Sequence, residues 1–187
     1  MTAMVTPNFA GVGGLAAELS DAHVLACFQC RKCTAGCPVA DRADIKPHEL
    51  VRLVQLGQRE EVLSSRMIWE CTACQTCATR CPQQVSIAAM NDALRRISRI
   101  EGKSPRGTTV PAFNDVFLRN VRRLGRIHEM GLMTAFKLRT RQFFADVGKL
   151  PMMLSKGKLT ILPHKIPGRA DRQALFDRIA QAGGKKP

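Results

Sequence analysis

From Pro47 the chain places apolar residues at Leu50, Val51, Leu53, Val54 and Leu56. This recurrence predicts a helix with one covered face. Proline suits a first helical turn, and Gly57 suits the position just past a helix end. A second short helix is expected from about Glu60, with Val62, Leu63, Met67 and Ile68 as its apolar positions. A third is expected in "VSIAAMNDALRRISRIEG", with Ser86 as N-cap, Ile87, Met90, Leu94 and Ile97 on one face and Gly102 at its end. Further on, "PAFNDVFLRNVRRLGRIH" has Phe113, Val116, Phe117, Val121, Leu124 and Ile127 at helical spacing, with Arg119, Arg122, Arg123 and Arg126 mostly on the other side. "GLMTAFKLRTRQFFADVGKLPMML" continues as one or two apolar and basic helices broken by Pro151. "KLTILPHKIPG" reads as an extended connector, and "DRQALFDRIAQAG" as a closing helix with Asp171 as cap and Gly183 as stop. The expected class is all-α.

Between the helices lie all eight cysteines, in two copies of one pattern: "CFQCRKCTAGCP" at 27–38 and "CTACQTCATRCP" at 71–82, with 32 residues between them. The run C-x2-C-x2-C-x3-C-P is the spacing of bacterial two-cluster ferredoxins. Three cysteines two residues apart can curl their sulfurs around one cube, while the fourth, followed by proline, points elsewhere and ligates the other cluster. The expected sets are Cys27, Cys30, Cys33 and Cys81 for one [4Fe-4S] cluster, and Cys71, Cys74, Cys77 and Cys37 for the second. Structural zinc is the competing use of paired C-x2-C units. It leaves the third cysteine, the x3 step and the trailing Pro38 and Pro82 without a reason. Nucleophilic cysteine chemistry lacks a paired base, because His23, His48, His128 and His164 are scattered. With helical spacers in place of the short connections of a minimal β-rich ferredoxin, the expected fold is an α-helical ferredoxin domain binding two [4Fe-4S] clusters, with a basic helical C-terminal extension.

The 187 residues suffice for one domain with its own core plus an extension. The expected organisation is an N-terminal segment 1–22, the cluster domain 23–104 and the extension 105–187. The start lacks the pattern of a secretory signal, and no apolar run could span a bilayer, so a soluble cytoplasmic protein is expected. In a reducing compartment, cysteines so closely grouped favour ligation over disulfides.

The net charge of +14 is unevenly spread. Residues 1–94 hold 8 Lys+Arg against 9 Asp+Glu, and residues 95–187 hold 21 against 6. Two oxidised cubanes with their thiolates would each bring about −2, leaving the whole basic. Such a surplus fits nucleic acid, an anionic membrane or an acidic protein partner. The second half also holds five of the eight Phe and four of the eight Met between 113 and 153, so it is more than a charged tail. Solvated helices packed on the ferredoxin core and an amphipathic membrane role compete here with a docking surface. Docking accounts for both the apolar excess and the charge, whereas no nucleic-acid reader motif is present. Beside the cysteines, Arg31, Lys32 and Arg80 could offset cluster charge or be ordinary solvated residues. Trp69 could shield the second cluster or simply pack between helices.

The runs, the spacer "PHELVRLVQLG", the lead-in "SSRMIWECTACQTCATRCPQQVSI" and the basic segment "KGKLTILPHKIPG" together resemble the iron-sulfur C subunit of heterodisulfide reductase and its homologues over roughly 20–170. The resemblance implies two [4Fe-4S] clusters that carry electrons between two partners in a hetero-oligomer. One partner of that family is a flavin-containing iron-sulfur protein, and the other is the catalytic protein, with cysteine-rich CCG motifs. No CCG motif occurs in this chain, and "GVGG" at 11–14 lacks the spacing of a dinucleotide loop. The implied role is therefore electron relay, with the disulfide or sulfur chemistry on a partner. The cysteine runs alone are shared with iron-sulfur subunits of FAD-linked glycolate, lactate and glycerol-3-phosphate dehydrogenase complexes, which is the alternative reading.

Overall fold

Pro47 opens a helix and Gly57 follows its end, as the apolar pattern requires. In the computed structural model, which describes residues 22–103, 105, 108–141, 148, 152, 156, 162–164 and 166–183, the chain divides into two compact units, Met1–Thr108 and Thr109–Pro187. The N-terminal segment up to residue 21, the region around Pro151 and residues 158–161 and 165 of "KLTILPHKIPG" lie outside the described residues.

The first unit begins with a 3-10 turn, Val24–Ala26, followed by α1 (Lys32–Ala35), α2 (Pro47–Gln55), α3 (Arg59–Leu63), α4 (Met67–Glu70), α5 (Thr76–Arg80) and α6 (Ile87–Ile100). Among the described residues there is no strand. The order short helix, cysteine run, short helix, longer helix occurs twice, at an offset of 44 residues from Cys27 to Cys71. The core is the apolar face that the periodicity marked: Leu50, Val51 and Val54 of α2, Val62 and Leu63 of α3, Met67 and Ile68 of α4, and Met90 and Leu94 of α6 are all essentially without solvent contact. Burying a side chain of this kind is worth about 1.5–3 kcal/mol. Two ion pairs, Arg59 to Glu101 and Lys103 to Glu60, join the start of α3 to the end of α6.

α2 and α6 begin as the sequence indicates. Glu49 accepts a hydrogen bond from the Lys46 backbone N–H at 2.9 Å, half of a capping box, because lysine has no side-chain acceptor for the other half. Ser86 Oγ accepts from Ala89 N at 3.4 Å, and Gly102 closes α6 with φ +63°.

The helix expected from about Glu60 through Ile68 is two helices. Its Val62 and Leu63 belong to α3, while Met67 and Ile68 belong to α4. The break has a distant cause, the carboxylate of Asp44. It accepts hydrogen bonds from Ser65 Oγ (3.0 Å), Arg66 N (2.8 Å) and Met67 N (3.0 Å) and so supplies α4 with its cap. Burial raises the Asp44 pKa, but the hydrogen bonds from Arg66, Ser65, Met67 and Ile45 outweigh it and hold the carboxyl below its ordinary value.

The second unit is a helical hairpin with a third helix against it: α7 (Val110–Leu124), α8 (Glu129–Thr140) and α9 (Arg169–Gly183). α7 stops at Leu124, short of Ile127, because Gly125 turns left-handed with φ +83°. In the turn Asn120 Oδ1 accepts from His128 N at 3.0 Å, and His128 Nδ1 accepts from Gly131 N at 3.1 Å as the N-cap of α8. Phe113 meets Phe117 and stands edge-on to Phe136 with centroids 5.5 Å apart. Arg122 joins α7 to α9 through Asp177 at 2.7 Å and covers the ring of Phe176. Asp171 is not the cap of α9. The helix starts two residues earlier, and Asp171 sits in its first turn, where a carboxylate favours the positive end of the helix. Among the described residues Val116 is the buried apolar residue of this unit, while Leu118, Leu138, Leu175 and Ile179 are exposed. No helix of the described residues is long and apolar enough to cross a membrane.

Candidate metal centre

Each cysteine run wraps a loop and one short helix, and the two loops share backbone conformation at matching positions. Gln29 and Arg31 have φ of 65° and 64°, and Ala73 and Gln75, 44 residues on, have 53° and 62°. Left-handed backbone costs about 1–2 kcal/mol at a non-glycine residue. Four such residues alternating with cysteines are therefore a signature of function rather than of stability. Alternation of left-handed and ordinary conformation is also the backbone pattern from which anion-receiving nests are built. Arg31 and Gln75 are the N-caps of α1 and α5.

α1 packs against α5, and this brings the runs together. At that contact Gly36 lies beside its counterpart Arg80. A Cβ at Gly36 would stand 2.6 Å from the Arg80 guanidinium, so the bulky residue of one run is accommodated by the missing side chain of the other.

Two small cavities result. The walls of one include Cys27, Cys30, Cys33 and Cys81. The walls of the other include Cys71, Cys74, Cys77 and Cys37. Each thus takes three cysteines from one run and the last cysteine of its twin. Pro47 and His48, adjacent at the start of α2, address different cavities: Pro47 lines the second and His48 the first. Ile87 at the start of α6 borders both.

All eight cysteines are free thiols, six half-buried and two, Cys30 and Cys74, exposed. Burial pushes the Cys33 and Cys77 thiols up, the same position in each run, against opposing hydrogen bonds from Thr34 and Ala78. Hydrogen bonds from Thr76 draw the exposed Cys74 thiol down. Among the described residues no group of three or more His, Cys, Asp or Glu side chains is gathered to hold a single metal ion. The cysteines instead line two voids, four to each. Four soft thiol donors lining one void, on loops with the left-handed residues of a nest pattern, fit an iron-sulfur cube.

Two residues that periodicity cannot reveal hold the first cysteine of each run. Gln55 Nε2, at the end of α2, donates to the carbonyls of Val24 (3.0 Å) and Cys27 (3.1 Å). Arg95 of α6 donates to the carbonyls of Ile68 and Cys71, the latter at 2.6 Å. The acceptors are again 44 residues apart. Aligning the two copies finds the acceptors, whereas the donors differ in type and register. Trp69 takes the packing role. It is 6 % exposed, with the Arg99 guanidinium 5.8 Å above its ring, while the α4 residue on the cavity wall is Met67.

Residues 26–86 match the family model described as a 4Fe-4S dicluster domain. The chain is 39% identical over 79 residues to the iron-sulfur C subunit of the CoB--CoM heterodisulfide reductase of Methanopyrus kandleri, covering 42% of this chain and 41% of that protein. It is 41% identical over 76 residues to the C subunit of the ferredoxin:CoB-CoM heterodisulfide reductase of Methanosarcina acetivorans, covering 41% and 30%. To the C2 subunit of the H(2)/formate:CoB-CoM heterodisulfide,ferredoxin reductase of Methanococcus maripaludis it is 35% identical over 85 residues, 46% of each chain. The matched stretch thus spans less than half of each of these relatives, and the resemblance seen in the motifs holds over that stretch.

Proposed function

We propose that this chain is the electron-carrying iron-sulfur subunit of a heterodisulfide-reductase-like complex in the cytoplasm. In this reading Cys27, Cys30, Cys33 and Cys81 hold one [4Fe-4S] cluster, and Cys71, Cys74, Cys77 and Cys37 hold a second. The observation that carries it is the pair of cavities, each walled by three cysteines of one run and the last of the other. Bound there, each cluster would supply a site that accepts and releases one electron. The chain's own residues do the rest. Gln55 and Arg95 tie the first cysteine of each run to a long helix. Val39, Met67, Ile87 and Ala88 form an apolar wall that limits water at the second cavity, and Val51, Val85 and Ile87 do so at the first.

The similarity to these reductase proteins supports partners of the kind the motifs imply: a flavin-containing protein on one side and a catalytic protein with CCG motifs on the other. The unit Thr109–Pro187 serves as the docking extension. Its exposed Leu118, Leu138, Leu175 and Ile179 are apolar area of the kind that partners cover, and its arginines form the rim that steers association.

Anaerobic reconstitution tests the core of this reading. The chain should take up about eight iron and about eight sulfide, as two four-iron clusters require. It should exchange electrons with an artificial carrier and reduce no disulfide until the CCG-bearing catalytic partner is added. A preparation that keeps stoichiometric zinc and no sulfide would refute it.

A further inference from the structure

The two cavities are built on one plan but walled differently. The first is bordered by Gln29, Arg31, Lys32 and His48. At the same places in the second run stand Gln75 for Arg31 and Thr76 for Lys32, and the wall adds Pro38, Val39, Pro47 and Met67. Arg31 and Lys32, both exposed, thus line the first cavity and have neutral counterparts at the second, where the charged group is Arg95 on the Cys71 carbonyl.

Hydrogen bonds add to the difference. Cys27 Sγ accepts from Gln29 Nε2 at 3.5 Å and Cys81 Sγ from Val85 N at 3.3 Å. Next to Cys33 in the chain is Thr34, which carries a hydroxyl. That hydroxyl is itself held by His48, with Nδ1 at 2.8 Å and the His48 backbone N–H donating at 3.2 Å. The residue matching Thr34 in the second run is Ala78, which has no hydroxyl. In the second cavity Cys74 Sγ lies 3.4 Å from Thr76 Oγ1 at an exposed position.

Reduction adds negative charge to a group that is already anionic. Nearby cations and donors to the sulfurs favour it, while a dry apolar wall opposes it. Resting on the proposed ligation, we infer that the centre at Cys27, Cys30, Cys33 and Cys81 has the higher reduction potential of the two, and that Arg31 and Lys32 on its wall are the charges that set it apart. An electron shared between the two centres then resides chiefly at the first, and the second is the weaker holder.

The twin run supplies a conservative test. Arg31 has φ 64° and Gln75 has φ 62°, so glutamine already occupies this strained backbone in the same molecule. The variant Arg31→Gln/Lys32→Thr gives the first run the residues of the second, and Gln75→Arg/Thr76→Lys makes the reverse exchange. The reconstituted full chain is titrated with dithionite, and the two midpoint potentials are followed by EPR. The first variant should lower the higher midpoint and leave the lower one in place, narrowing the gap. The reverse variant should raise the lower midpoint. The inference is overturned if the first variant moves the lower midpoint, moves both equally or moves neither, or if the reverse variant leaves the lower midpoint where it was. A chain that takes up no iron and sulfide would refute the ligation itself, a result that iron and sulfide content separates from an unmoved midpoint in a fully loaded protein.

Discussion

Asp44 shows what a single residue does here that no local pattern announces. Its carboxylate reaches 21 to 23 positions along the chain to cap α4, the helix that delivers Cys71. Asp44→Ala should cost about 1–2 kcal/mol, the range of a lost helix cap, read as an earlier denaturation midpoint. The folded carboxyl titrates below its ordinary value. The stabilisation is therefore complete above the unfolded pKa of about 3.9 and is lost as pH falls through the lower folded value. Comparing acid denaturation of the wild type and Asp44→Ala should show the two curves converging at the acid end. The cysteines are readable where Asp44 is not, because ligand spacing is a local constraint while a cap supplied from a distant loop is not. Their pairing is tested by Cys37→Ser, which should perturb the EPR signal of the centre bordered by Cys71, Cys74 and Cys77 and spare the other.

Among the helices, periodicity located α2 and α6 because each buries one stripe of apolar side chains, and α7 because its apolar residues recur at helical spacing, although Val116 is the one of them that is buried. It missed the break at Ser64–Arg66 because Leu63 and Met67 continue the apolar stripe across it, although both are buried from separate helices. Arg95 ties α6 to the carbonyl ends of α4. Charged donors to carbonyls are worth about 1.5–3 kcal/mol, so Arg95→Met should lower stability by that order and speed iron loss to a chelator, with Cys71 released first. In the hairpin of α7 and α8, Gly125→Ala places a Cβ 2.9 Å from Ile166 Cβ on a backbone of φ +83°. It should destabilise Thr109–Pro187 by more than about 1 kcal/mol, seen as earlier proteolysis of that unit while iron content stays unchanged.

Across the whole chain, composition announced two unlike halves, and the structure divides the chain at Thr108 into two compact units. A chain ending at Thr108 should keep both centres and fail to join its partner. Reversing the charge of Arg119, Arg123 and Arg126, all exposed, should slow association at low salt and matter less at high salt, as measured by surface-based kinetics. Unaltered assembly of the shortened chain would move docking to the cysteine unit. What composition could not reveal is how few of the described residues of the second unit are enclosed, because apolar residues at helical spacing look alike whether they cover a core or await a partner.

The exchange of the last cysteine between the runs also sets an order of events during synthesis. The cavity that begins at Cys27 is closed by Cys81, and the one that begins at Cys71 reaches back to Cys37. A growing chain that has emerged only as far as α3 has four of its thiols in the open and no finished cavity. Neither cysteine set is complete until the second run has emerged, the one with Cys37 at Cys77 and the one with Cys27 four residues later at Cys81. On the proposed ligation, whatever delivers iron and sulfide would have to wait for the second run to fold.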